Sequence, residues 1–305
     1  MTCGVTQDGG AGPVRSAVAL LRGKVVASTV GLFSHGPDPL EHTLTHAGDP
    51  GLFGPSSVTW PVLGDPASFV GGIRALLLQA AQPEVAAGVS EHSRYRQDPL
   101  GRLSRTSAYV TATGYGAMPE VHAAVRVVKT RHQGVVGSSH RGRPYDAAAP
   151  QLAAWVHNTL ADSFLVAYQQ FGPQRLSDHA ADRYVAEQVA VGRLLGADPL
   201  PGTAAALSQW IGGHPGLAPS PGQREAVEFL RRPPLPPAIR IAYGFLYRAA
   251  VATVPPRIRQ VIGVRRTPGD VLLGRAVTHG LRWTLGPSPA WQLALTRVDT
   301  PATVG

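Results

Sequence analysis

Residues 98–109 read Asp98-Pro99-Leu100-Gly101-Arg102-Leu103-Ser104-Arg105-Thr106-Ser107-Ala108-Tyr109. Asp-Pro supplies a helix start, an N-cap followed by a first-turn proline. On a helix begun there, Arg102, Arg105, Thr106 and Tyr109 share one face by three- and four-residue spacing. Two guanidiniums, a hydroxyl and a phenol make a face suited to an anion, and equally one that simply meets water. Downstream, His132 continues the apolar stripe Val121, Val125, Val128 and Val135, where a valine or leucine would be expected. Such a histidine is either a satisfied core residue or an imidazole offered to a metal from an apolar wall, as an axial ligand to haem iron is. His157, in Trp155-Val156-His157, has the same two readings. His42 and His46 have the four-residue spacing of two metal ligands, but Pro39, Gly48 and the residues between favour an exposed loop over a helix.

The elements that must position these groups read as helices. Asp65-Pro66 opens one through Phe69, Val70, Ile73, Leu76, Leu77 and Ala80. Pro83 opens the next through Val89, Asp98-Pro99 the one that reaches about Gly114, and Pro119 the one bearing His132. Pro150 starts a helix through Tyr168, and Ser177-Asp178 one that ends at Gly196. Shorter helices follow around 203–211, 223–231, 239–254 and 257–262. Alternating strand patterns are scarce. The expectation is an all-α protein: a flexible tail over residues 1–15, an irregular region over 30–66, and a single mostly helical domain over 16–305.

Composition narrows the chemistry. The chain has 305 residues, 28 Lys+Arg against 19 Asp+Glu, a formal charge of +9 and one cysteine, Cys3. A lone cysteine excludes a disulfide framework, a four-cysteine zinc site and a cysteine-ligated iron–sulfur cluster. Lys24 and Lys129 are the only lysines, and the arginines are spread along the chain without interleaved aromatics, so nucleic acid is not the expected partner. No segment reads as a membrane span or a leader, and a cytoplasmic location is the default expectation. GxGxxG, GxxxxGK[ST], HExxH and GxSxG patterns are missing, which leaves nucleotide binding and serine hydrolysis without support.

Several segments in order resemble one family. Gly48-Asp49-Pro50-Gly51-Leu52-Phe53-Gly54-Pro55-Ser56-Ser57-Val58-Thr59-Trp60, then GGIRALLLQAAQP, DPLGRLSRT, WVHNTLADSFLVAY and DRYVAEQ are similar to the rubber oxygenases (latex-clearing proteins) and the MpaB-type oxygenases. FLRRPPLPP and VPPRIRQVIG extend the similarity, from about residue 45 to residue 265. The resemblance implies a helical fold with a globin-like core, haem b, and an oxygenase acting with O2 or a peroxide on a small apolar organic substrate. It implies His132 as the iron ligand, with His157 the alternative, and Arg102 as an anchor for the haem. Arg102-x-x-Arg105-Thr106 matches a distal Arg-x-x-Lys-Thr motif with arginine for lysine. Arginine keeps its proton and offers no lone pair, so Arg105 with Thr106 would donate hydrogen bonds to an oxidant rather than coordinate iron. Glu84 falls near the position of a candidate base in the rubber-cleaving branch. Gln82 and Val136 stand where relatives often have histidine and arginine. These departures keep two other readings open: a haem protein without turnover, and a haem-free binding protein of the same fold.

Overall fold

A computed structural model describes residues 36–301. The described residues form, with one short 3-10 turn and joining loops, thirteen α-helices and one two-stranded hairpin. In chain order they are α1 (Thr59–Gly64), α2 (Ala67–Ala80), α3 (Pro83–His92), α4 (Pro99–Tyr115), α5 (Met118–His132), β1 (Val136–Ser138), β2 (Pro144–Asp146), α6 (Pro150–Phe171), α7 (Asp178–Leu195), α8 (Ala204–Gly213), α9 (Pro221–Arg231), α10 (Pro237–Thr253), α11 (Pro256–Ile262), α12 (Asp270–Leu285) and α13 (Pro289–Asp299). The expected all-α class is what the chain adopts. The expected tail over 1–15 lies outside the described residues.

Local sequence accounts for most helix starts. A proline fills the first turn of α3, α4, α6 and α9, where the missing N–H costs nothing. Side chains of Gln82, Asp98, Ser177, Thr203 and Ser220 accept the first free backbone N–H groups. The start of α1 is capped from a distance. Glu187, on α7, accepts Val58 N at 3.0 Å, Thr59 N at 2.8 Å and Thr59 Oγ1 at 2.8 Å.

The centre is the antiparallel pair α2 and α6. Gly71 lies against Phe164, Arg74 bonds Asp162 and Gln79 bonds the Val156 carbonyl, so rising numbers on one helix meet falling numbers on the other. A Cβ at Gly71 would come within 2.7 Å of the Phe164 ring, and this close approach is why glycine stands there. Arg74 reaches Asp162 Oδ2 at 2.7 Å and Ser163 Oγ at 2.8 Å inside the core. Trp155, Leu77, Leu78, Tyr184, Ile211 and Ile258 are fully buried around that pair.

A second, smaller apolar cluster joins Leu40, Trp60, Tyr115 and Ala294. At its heart Arg297, from α13, donates to the carbonyls of Asp49 (2.7 Å) and Tyr115 (2.6 Å) and to Thr43 Oγ1 (2.6 Å). This clasp fixes the C-terminal end of α4, and the helix then projects its opposite end, with Arg102, away from it.

Candidate functional site

The N-terminal half of α4 is built as its sequence predicts. Asp98 Oδ1 accepts Gly101 N at 2.9 Å, and any Cβ at Gly101 would collide with that carboxylate, so glycine is required for the cap to close. Arg105 folds back onto Asp98 at 3.1 Å, with both side chains nearly half exposed. That hydrogen bond leads the interactions that hold the Asp98 carboxyl below its ordinary range. Thr106 is also exposed, and its hydroxyl donates to the Arg102 carbonyl at 3.1 Å.

Arg102 differs from its neighbour. Its guanidinium turns inward, donates to Ser93 Oγ and lies 5.9 Å from the centre of the Tyr95 ring. Burial pushes its pKa down, and among the described residues no carboxylate pairs with it. Two turns on, the Tyr109 hydroxyl is buried without a hydrogen-bond partner, and burial drives its pKa well up. The predicted single face is therefore split: Arg102 and Tyr109 lean in, Arg105 and Thr106 face out.

His132 is the last residue of α5. The stripe it belongs to is buried at Val121 and Val125 but only half-covered at Val128, His132 and Val135. No hydrogen bond reaches its ring among the described residues, and burial alone lowers its pKa, so at neutral pH it keeps an imidazole lone pair. His157 sits in the middle of α6 and is 4% exposed. Its Nε2 must donate to the Gln188 carbonyl at 2.8 Å, since a carbonyl only accepts, and burial lowers its pKa to about 4. The bond commits Nε2 to a backbone carbonyl and leaves Nδ1 as the one ring nitrogen that could meet a metal. Tyr109 and His157 both line a crevice of about 20 Å³, with Leu63, Leu160 and Phe164, that has room for about one water.

The remaining sequence candidates are placed elsewhere. His42 and His46 flank a short 3-10 turn (Thr43–Thr45), and no cluster of metal-ligating side chains forms among the described residues. Glu84 is buried and saturated: Arg141 Nη2 lies 2.7 Å away, Ser139 Oγ 2.9 Å and Gln82 Nε2 2.9 Å. Burial alone would raise its pKa, but Arg141 and Ser139 outweigh it and the net shift is downward, so Glu84 is a structural anion rather than a poised base. Gln82 caps α3 through Oε1 on Val85 N at 2.7 Å while its amide serves Glu84, a double task that its carboxamide suits. Val136 lies in β1 and is 54% exposed. Arg141 and Ser93 escaped the sequence reading because their partners are distant or lie in an irregular loop.

A family model described as the ER-bound oxygenase mpaB/B′ and rubber oxygenase catalytic domain matches residues 60–283. The chain belongs to this family. No curated protein and no solved structure gives a significant match. As a member of the mpaB and rubber oxygenase family, it carries an oxygenase-type catalytic domain that spans α1 to α12 and contains the candidates on α3 to α6, while His42 and His46 lie before it. The match begins later and ends later than the expected 45–265. α13 and its Arg297 clasp fall outside it. Among the described residues no helix is long and apolar enough to cross a membrane.

The residues on α4 and α5 suit a haem in kind. A half-buried imidazole without a hydrogen bond has the lone pair an iron donor needs, and a half-buried guanidinium without a carboxylate has the charge and donors to meet a propionate. The crevice behind Tyr109 is far too small for a porphyrin, and the apolar stripe beside His132 is half-covered.

Proposed function

We propose that this chain is a haem-b-dependent oxygenase acting with O2 or a peroxide on a small apolar organic substrate. The observation that carries the reading is His132, an unengaged imidazole on a half-covered apolar stripe of α5, in contact with a helix, α4, that bears Arg102, a half-buried cation lacking a carboxylate. Bound haem b would supply the redox chemistry an oxygenase needs and that no side chain of this protein offers.

The chain's own residues have separable tasks. His132 would hold the iron through its ring nitrogen, and the surrounding Val128 and Val135 would keep water from it. Arg102, fixed by Ser93 and Tyr95, would hold a propionate through charge-assisted hydrogen bonds. Arg105 presents N–H donors on the open side of α4 for the oxidant, and Asp98 keeps its side chain from wandering. Thr106 is the weaker donor, because the Arg102 carbonyl already takes its proton. His157, held by Gln188, would stay neutral behind the site.

An absorption spectrum and a pyridine haemochrome assay of freshly purified protein test the reading. The expected result is stoichiometric haem b, lost in His132→Ala and retained in Arg105→Ala. A colourless protein that also refuses added haem would overturn it, and a wild-type haem spectrum in His132→Ala would overturn the ligand assignment.

A further inference from the structure

Six large apolar side chains are exposed among the described residues, and the three most exposed lie on two helices: Leu272 at 69%, Ile241 at 65% and Trp283 at 57%. Those helices, α10 and α12, pack together. Arg248 on α10 pairs with Asp270 on α12 at 2.7 Å, and a Cβ at Gly274 would lie 2.7 Å from that of Ala249. The outward positions of α12 are Leu272, Arg275, Ala276, His279 and Trp283, whose three- and four-residue spacing makes one continuous stripe. On α10, Arg240, Ile241 and Ala242 are exposed together.

The charge around this face has one sign. Between Glu228 and Asp270 the sequence holds eight arginines and no aspartate or glutamate. The two bounding acids are engaged, Glu228 with Arg232 and Asp270 with Arg248. Arg240, Arg265 and Arg266 are exposed and form no ion pair among the described residues. Arg240 adjoins Ile241, and Arg265 and Arg266 lead into α12.

We infer that the outer face of α10 and α12 docks on an anionic lipid surface. Exposed isoleucine, leucine and tryptophan beside arginines are the composition of a helix face that lies in a bilayer interface, where apolar tips enter the acyl boundary and guanidiniums reach the headgroup phosphates. A nucleic acid would use the arginines but has no place for Leu272 and Ile241. A second copy of the chain would oppose one arginine-rich face to another. The inference stands apart from the haem assignment, although an enzyme for an apolar substrate would find it concentrated in such a membrane.

Co-sedimentation of the full chain with phosphatidylcholine vesicles, with and without phosphatidylserine, tests this docking in protein of any haem content. Binding to the phosphatidylserine vesicles is expected, weakening with salt. The Ile241→Glu/Leu272→Glu double variant should lose about tenfold or more in apparent affinity. Leu44→Glu, at an exposed site elsewhere, should lose none, and circular dichroism checks that both variants fold. Absence of binding at low salt would overturn the proposal, as would binding that the double variant leaves unchanged. A dimer dissolved by Leu272→Glu, with no vesicle binding, would give the face to a second copy instead.

Discussion

The α2–α6–α7 core and the helices α4 and α5 treat polar groups in opposite ways. In the core, Arg74 meets Asp162 and Ser163, Glu187 takes two backbone N–H groups and a hydroxyl, and His157 meets the Gln188 carbonyl. Along α4 and α5, Arg102 has a hydroxyl but no carboxylate, the Tyr109 phenol has nothing, and His132 has no hydrogen bond. A buried polar group left without partners costs stability, so a chain that satisfies one region and neglects another marks the neglected one as a place for a ligand. The residues that carry the family resemblance divide accordingly. GGIRALLLQAAQP, WVHNTLADSFLVAY and DRYVAEQ place Arg74, His157, Asp162 and Glu187 in the frame, whereas DPLGRLSRT supplies the start of α4.

The sharpest way to break this contrast is to unpair one ion in each region. Asp162→Ala leaves Arg74, only 2% exposed, as an uncompensated buried charge, and should cost about 3–5 kcal/mol in equilibrium denaturation. Arg105→Ala removes the surface pair but leaves the Asp98 cap on Gly101, and should leave the denaturation midpoint where it is. Equal effects would mean that the two regions do not differ as described.

Next in size is a pH effect confined to the core. The folded protein holds the His157 pKa at about 4 against an ordinary 6.5, so between those values the unfolded chain binds more protons. His157 therefore favours folding fully above pH 6.5 and loses about 3 kcal/mol of that contribution as pH falls towards 4. Denaturation of the wild type and of His157→Gln across this window isolates the term, since the other titrating groups are common to both. A parallel pH dependence in the two proteins would show that His157 is not held neutral by the fold.

What the sequence made legible follows from the range of the forces involved. Helix starts depend on a proline and a cap within three residues, so Asp98, Ser177 and the proline-led helices are readable. Asp65-Pro66 places the start of α2 to within one residue: Asp65 Oδ1 accepts Ala67 N at 2.8 Å while its Oδ2 pairs with Arg282, at 2.6 Å, from the far end of the domain. α12 and α13 went unread: α12 shows an apolar stripe that faces outward, and α13 packs on a satellite cluster through Arg297, a charge no pattern would place inside. β1 and β2 flank a Ser-His-Arg-Gly-Arg loop, with no alternation to announce them, and Tyr145 packed over Gly137 helps hold the hairpin. For the site, periodicity found His132, His157 and the α4 stripe. It could not tell which of the two histidines the fold would commit to a hydrogen bond, because Gln188 lies 31 residues from His157.

The smallest effect tests the contrast at single atoms, because the core has an orphan of its own. Tyr184 and Tyr109 both bury a hydroxyl without a partner. Removing an unpaired hydroxyl removes no hydrogen bond, so Tyr184→Phe and Tyr109→Phe should each change unliganded stability by less than about 1 kcal/mol. Their responses to added haem should then diverge. Tyr184 lies within the frame, among Asp162 and Glu187, and its loss should leave haem affinity unchanged. Tyr109 shares α4 with Arg102 and borders a crevice with room for about one water, so its loss, which removes the anchor for a water ordered behind the proposed site, should weaken haem binding by about tenfold. Titration of both variants with haem separates the cases. If the two behave alike, an unsatisfied hydroxyl near α4 means no more than one in the core, and the burden of marking the site falls on Arg102 and His132 alone.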